Sequence, residues 1–281
     1  MTVSHFKWPA IALALAFAVN PGGTAAAQSD DATLTFLRGS TPVVELTRAE
    51  LIAKVPPTTA SFFDPRYEKT KTYRCLAISG VMAAVFGERW ASSEFTEAEF
   101  TALDRYVSVA PARKLNEPGG CLAVGDVDAP GWEPVGRKGV SPGPFYLAWS
   151  GPNQSTENDY PWPYQLKSIA LIRFEDRYPE VVPQGAAAGS PAMRGYDLFK
   201  AHCVRCHAIN QQGGKIGPDL NAPRSIVSYR PRKMIKAYIR KPSDFRYTEM
   251  PDQPFLTDAG LEDIYQYFVF KSKQPASRQA K

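Results

Sequence analysis

Five consecutive residues, Cys203-Val204-Arg205-Cys206-His207, constrain this chain more than any other part of its sequence. Two thiols three positions apart, with an imidazole directly after the second, form the C-x-x-C-H pattern through which a haem is attached covalently. Each thiol can form a thioether with one of the two vinyl groups, and the histidine is then held under the iron as an axial ligand. The competing reading is a redox-active C-x-x-C disulfide. That reading needs a thioredoxin-like strand–helix setting and leaves His207 without a role. Haem uses all three side chains.

At 281 residues the chain is long for one haem domain, so two domains are expected. Hydrophobic residues at 44% and aromatics at 12% suffice for well-filled cores, while 25 prolines argue against a helical bundle throughout. The N-terminus has the layout of a secretory signal. His5 and Lys7 precede an apolar run at 11–19, and Ala25-Ala26-Ala27 offers a small-residue exit with Gln28 as the mature start. The run is short for a membrane-spanning helix, which needs about 20 residues. Residues 1–27 are therefore expected to be cleaved, leaving no membrane span. Export fits the motif, because c-type haems are attached outside the bacterial inner membrane, and the periplasm is the expected location.

The net charge of +5 is unevenly divided. Residues from 191 onward carry 16 Lys/Arg against 8 Asp/Glu, whereas 28–190 carry 16 against 20. An exported chain meets no chromosome, so the basic half is not expected to serve nucleic acid. It suits steering towards a redox partner protein with an acidic docking surface.

The expected fold class is α+β with two domains: a β-rich α+β N-terminal domain at 28–182, then an all-α domain at 192–274. Residues 183–191 read as a linker, being small, uncharged and bracketed by prolines, and 275–281 as a polar tail. In the first domain, strands are predicted at 33–37, 43–46, 106–109, 145–149 and 168–174. Thr47-Arg48-Ala49-Glu50 is a capping box for a short helix that Pro56-Pro57 stops, and Ser79 is expected to cap another, ended by Gly87. In the second domain one helix leads into the haem motif. Another begins at Pro231, with Met234, Ile235, Tyr238 and Ile239 on one side and Arg232, Lys233, Lys236 and Arg240 on the other. Asp258 is expected to cap the last helix, with Ile264, Tyr267 and Phe268 facing inward.

Taken in order, these residues resemble a class I c-type cytochrome domain from about 193 to 273. Gly195 and Phe199 lie where that family crosses its first and last helices closely, and Cys203, Cys206 and His207 follow. Ile216-Gly217-Pro218-Asp219-Leu220 resembles the proximal loop, in which the proline carbonyl orients the ligand imidazole; Pro218 takes that role here. Glu249-Met250-Pro251 resembles the methionine turn, which implies Met250 as the sixth ligand. Met234 competes, but its helical neighbours suggest a core residue. His202 has its own direction on the helical turn and no second haem motif, so a surface-packing role is expected.

Cys75 and Cys121 are the only thiols outside the motif, and in an oxidising compartment a disulfide is the simplest expectation, with a metal thiolate as the alternative. A second resemblance bears on this choice. The segments 46–51, Tyr73, 104–106, 143–149 and 161–165 look like the sulfite-oxidase-type molybdopterin fold. That family needs a cysteine on molybdenum and basic and histidine residues around the cofactor's phosphate. Here neither cysteine lies in a matching motif, and 28–182 contains no histidine. The expected reading is a docking module that keeps the fold without the cofactor. The expected function is a periplasmic monohaem c-type cytochrome passing single electrons between partners, with no catalytic residues. Two alternatives stay open. One is a molybdopterin oxidoreductase whose haem is the electron exit. The other is a ligand-sensing haem protein, which requires Met250 to be lost or displaced.

Overall fold

The structure, a computed structural model, describes residues 31–136, 139–155, 158, 160–248, 250–274 and 276. The signal residues 1–27, Gln28, Glu249 and nearly all of the tail lie outside the described residues. Along the first part of the chain run β1 (Thr33–Arg38), β2 (Thr41–Thr47), α1 (Arg48–Lys54), β3 (Thr58–Asp64), β4 (Lys69–Ala77) and α2 (Ile78–Phe86). They are followed by β5 (Glu97–Ala102), β6 (Val107–Pro111), β7 (Gly120–Asp126), β8 (Tyr146–Trp149), β9 (Leu166–Ile172) and the single turn α3 (Phe174–Arg177). The remainder is mainly helical, with α4 (Pro191–His202), α5 (Arg232–Arg240) and α6 (Asp258–Ser272), but it is not all-α as expected: Ala208–Ile209 pairs antiparallel with Gln212–Gly213 just after the haem motif.

The strands form a five-stranded sheet in the order β2-β1-β9-β5-β6 and a four-stranded sheet in the order β3-β4-β7-β8. All pairs are antiparallel except β1 with β9. The capping box forms: Glu50 N–H donates to Thr47 Oγ1, and the Thr47 N–H donates back to the Glu50 carboxylate at 2.8 Å. Two expected caps are corrected. Ser79 lies inside α2, whose N-cap Ala77 makes no side-chain bond. Thr257, not Asp258, caps α6, its hydroxyl accepting from Gly260 N–H, because the helix begins at Asp258 itself. Phe174 belongs to α3 rather than to the preceding strand.

Four strands, β3, β4, β5 and β7, were not expected from the sequence pattern, and β5 explains why. Its sequence Glu97-Ala98-Glu99-Phe100 alternates, yet both faces are buried. Ala98 and Phe100, with Leu171 and Ile169 opposite them on β9, enter the large core shared with the four-stranded sheet. On the other face Glu97, Glu99, Val109, Ala170 and Ile172 are also buried, and there the cover is the helical region. Val109, Ile172, Phe174 and Val181 share one cluster with Tyr196, Phe199 and Tyr267. The two buried carboxylates are matched: Lys200 on α4 reaches Glu97 at 2.9 Å, while Arg177 and the Tyr178 hydroxyl hold Glu99.

The segment between the two regions is tied down by α6. Tyr267 donates to the Val181 carbonyl at 2.6 Å and the buried Lys271 ammonium to that of Val182 at 3.1 Å. Ser190 then caps α4, with Pro191 in its first turn. Helices α4 and α6 cross at Gly195, where a Cβ would lie 2.0 Å from the Asp263 carbonyl oxygen. Met234 is corrected: it is 43% exposed, because Ile235 takes the buried position of α5. No helix among the described residues is long and apolar enough to cross a membrane.

Candidate haem site

The attachment motif follows directly from the end of α4. Cys203 and Val204 N–H both donate to the Phe199 carbonyl, and Cys206 and His207 N–H donate to that of Cys203. One tight turn therefore carries both thiols and the imidazole. Gly217 N–H donates to the Cys206 carbonyl at 2.8 Å, fastening the 216–220 loop to the motif. Within this loop His207 Nδ1–H donates to the Pro218 carbonyl at 2.8 Å. This fixes the tautomer, with the proton on Nδ1, and leaves Nε2 unprotonated. Gly217 packs flat on the ring, since a Cβ there would lie 2.4 Å from His207 Cε1. Asp219 organises the loop end by accepting from the Asn221 and Ala222 amides, each at 2.8 Å.

Cys203 and Cys206 are free thiols. Burial pushes the Cys203 thiol up to about 12, with Arg205 acting weakly against it, and raises Cys206 as well. Thiol–disulfide exchange needs a stabilised thiolate, and this turn does the opposite. Beside the motif, Ile216 on the loop held by Gly217 and Phe255 against His202 are large apolar side chains left 60% and 37% exposed. Two free thiols, an oriented imidazole, a glycine cradle and an apolar rim fit a covalently bound haem. Met250 is half-buried, and its N–H donates to Thr248 Oγ1 at 3.2 Å. His202 packs against Phe255 with ring centroids 5.0 Å apart, and burial pushes its pKa down to about 4.

Two residues that sequence reasoning missed come from the β-rich region. Burial raises the Tyr106 phenol, and Arg205, Cys206, Arg66 and Tyr164 act on it electrostatically. Arg66 likewise acts on the Cys206 thiol. Nothing local in the sequence could have signalled this, because Tyr106 and Arg66 lie 100 and 140 positions before Cys206.

Cys75 and Cys121 are bonded to each other, bridging β4 and β7 inside the core with a Cα–Cα distance of 5.1 Å. This pairing leaves neither sulfur as a thiolate for molybdenum. The residues of the β-rich region therefore do not fit a sulfite-oxidase-type metal site.

The geometry defines a haem-binding helical region attached to a β-rich one. Residues 192–269 match the family model for cytochrome c. The C-terminal region is thus a c-type cytochrome domain, which implies covalent haem c, a redox protein partner and a role in haem-based electron transfer. No curated protein matches the chain.

Proposed function

We propose that the protein is an exported, periplasmic monohaem c-type cytochrome that passes single electrons between partner proteins. In this reading residues 1–27 are a cleaved signal, 28–182 a cofactor-free docking region, 183–191 a connector, 192–274 the cytochrome domain and 275–281 a tail. Cys203 and Cys206 hold the haem, and His207 and Met250 ligate the iron. Bound haem supplies a one-electron ferric/ferrous couple, and a thioether ligand raises its potential relative to two histidines. The chain's own task is to fix the imidazole through Pro218, to exclude water with its apolar rim and to present a basic region to an acidic partner. The observation that carries the proposal is the oriented His207 on the same turn as two free cysteines. The Cys75–Cys121 bond favours electron transfer without molybdopterin.

Metal analysis of the full-length protein purified from the periplasm tests this. One iron per chain, alkali-stable haem and no molybdenum are expected. Stoichiometric molybdenum, or iron that acid–acetone extracts as free haem, would refute it.

A further inference from the structure

The family match begins at residue 192, yet the loop that orients His207 is fastened from outside that span. Just after the motif, Ala208–Ile209 and Gln212–Gly213 form a tight hairpin whose tip is Asn210-Gln211. Both tip residues are left-handed, at φ of 50° and 71°. Such a tip favours Asn followed by Gly. Glutamine in its second position is strained and persists where the surroundings impose it. One restraint is the proximal loop. Gln211 N–H donates to Asp219 Oδ2 at 2.5 Å, Leu220 N–H to the Ala208 carbonyl at 2.9 Å and Asn221 Nδ2 to Asn210 Oδ1 at 2.8 Å. The other restraint is Glu180. Its carboxylate accepts from Asn210 Nδ2 at 2.9 Å and its N–H donates to Gln212 Oε1 at 2.8 Å, so one residue clasps both flanks of the tip. Glu180 is set in turn by its neighbours: the Tyr178 hydroxyl binds Glu99 on β5, and Val181 is fully buried with its carbonyl held by Tyr267. Contacts therefore run from β5 through Glu180, Asn210 and the Asp219 end of the loop to the Pro218 carbonyl that accepts from His207 Nδ1.

We propose that Glu180 is a positioning residue of the haem centre: by clasping the 208–213 hairpin it fixes the loop whose Pro218 carbonyl orients His207, so that the β-rich region tunes the iron without lending it a ligand. This rests on the proposed haem attachment with His207 as an axial ligand. A carbonyl held on one imidazole nitrogen makes the other a stronger donor, and a stronger donor favours ferric over ferrous iron. Releasing the hairpin weakens that hydrogen bond and raises the midpoint potential.

The test is spectroelectrochemical titration of full-length, haem-loaded protein carrying Glu180→Ala, Glu180→Gln or Asn210→Gly. Removing an outer-shell partner outright costs roughly tenfold or more in metal affinity. Loosening one should move the ferric/ferrous equilibrium about threefold, which corresponds to about 28 mV for one electron. Glu180→Ala should raise the midpoint potential by that amount. Asn210→Gly keeps the left-handed turn but removes the side chain between Glu180 and Asn221, so it should give a similar rise, and the double variant no more than either. Glu180→Gln keeps a carbonyl oxygen for Asn210 and should retain the wild-type potential, whereas a bare charge effect would shift it as far as alanine does. Equal shifts for Gln and Ala at 180, or no shift for either Glu180→Ala or Asn210→Gly, would overturn the role of Glu180. Wild-type protein without covalent haem would instead sink the attachment on which the proposal rests, an outcome distinct from both.

Discussion

A single hydrogen atom in place of a side chain sets how closely α4 and α6 cross. The Asp263 carbonyl that a Cβ at 195 would meet is backbone in mid-helix and cannot rotate aside. Forcing the helices apart costs about 3 kcal/mol, against which alanine's better helix propensity returns only about 1 kcal/mol. Gly195→Ala should therefore lose about 2 kcal/mol of stability, read as a lower denaturation midpoint of the haem-loaded protein. The flanking Arg194 clamps Asp263 with two hydrogen bonds of 2.8 Å, which holds the crossing in register. Gly217 plays the corresponding part beside His207, where closeness fixes the orientation of the imidazole rather than helix packing.

At the scale of elements, the basic face of α5 is turned largely towards α6. Arg232 and Lys236 both bind Glu262, and Arg240 pairs with Asp258 at 2.8 Å. Glu262 also accepts from Gln266, and these bonds, that from Gln266 foremost, hold its carboxyl at about 2. Because the folded value lies below the ordinary carboxylate value of about 4.3, the stabilisation is fully present above that pH. It is lost as pH falls through the folded value. The melting temperature should thus drop between about pH 4.5 and 2, and Glu262→Gln should flatten that part of the profile while melting lower at pH 6. The helices were legible because their apolar positions recur at three and four residues, and the haem turn because its chemistry is local. Strands β4 and β5 were not, since each hides charges whose partners lie far along the chain. Lys71 on β4 is fully buried against Asp126 and Glu133, at 2.9 and 2.8 Å, and Glu97 on β5 against Lys200. A charged residue reads as solvent-facing until its counter-ion is located.

At the scale of the whole molecule, the five-stranded sheet has two buried faces with different owners. The four-stranded sheet and α2 cover one, and α4 and its neighbours cover the other. The Cys75–Cys121 bond closes a loop with a sequence separation of 46 on the first side, which a chain-entropy argument values at about 4 kcal/mol. The second side depends on residues that are synthesised last. Until they arrive, Val109, Ala170, Ile172 and Phe174 form an apolar patch with Glu97 unpaired among them, a surface that invites self-association. A chain ending at Val182 should accordingly sediment as oligomers or aggregates, where the full-length protein at the same concentration stays dispersed. The cytochrome domain is thus also the solubility cover of its neighbour, and maturation of the haem end becomes a quality check on the entire chain.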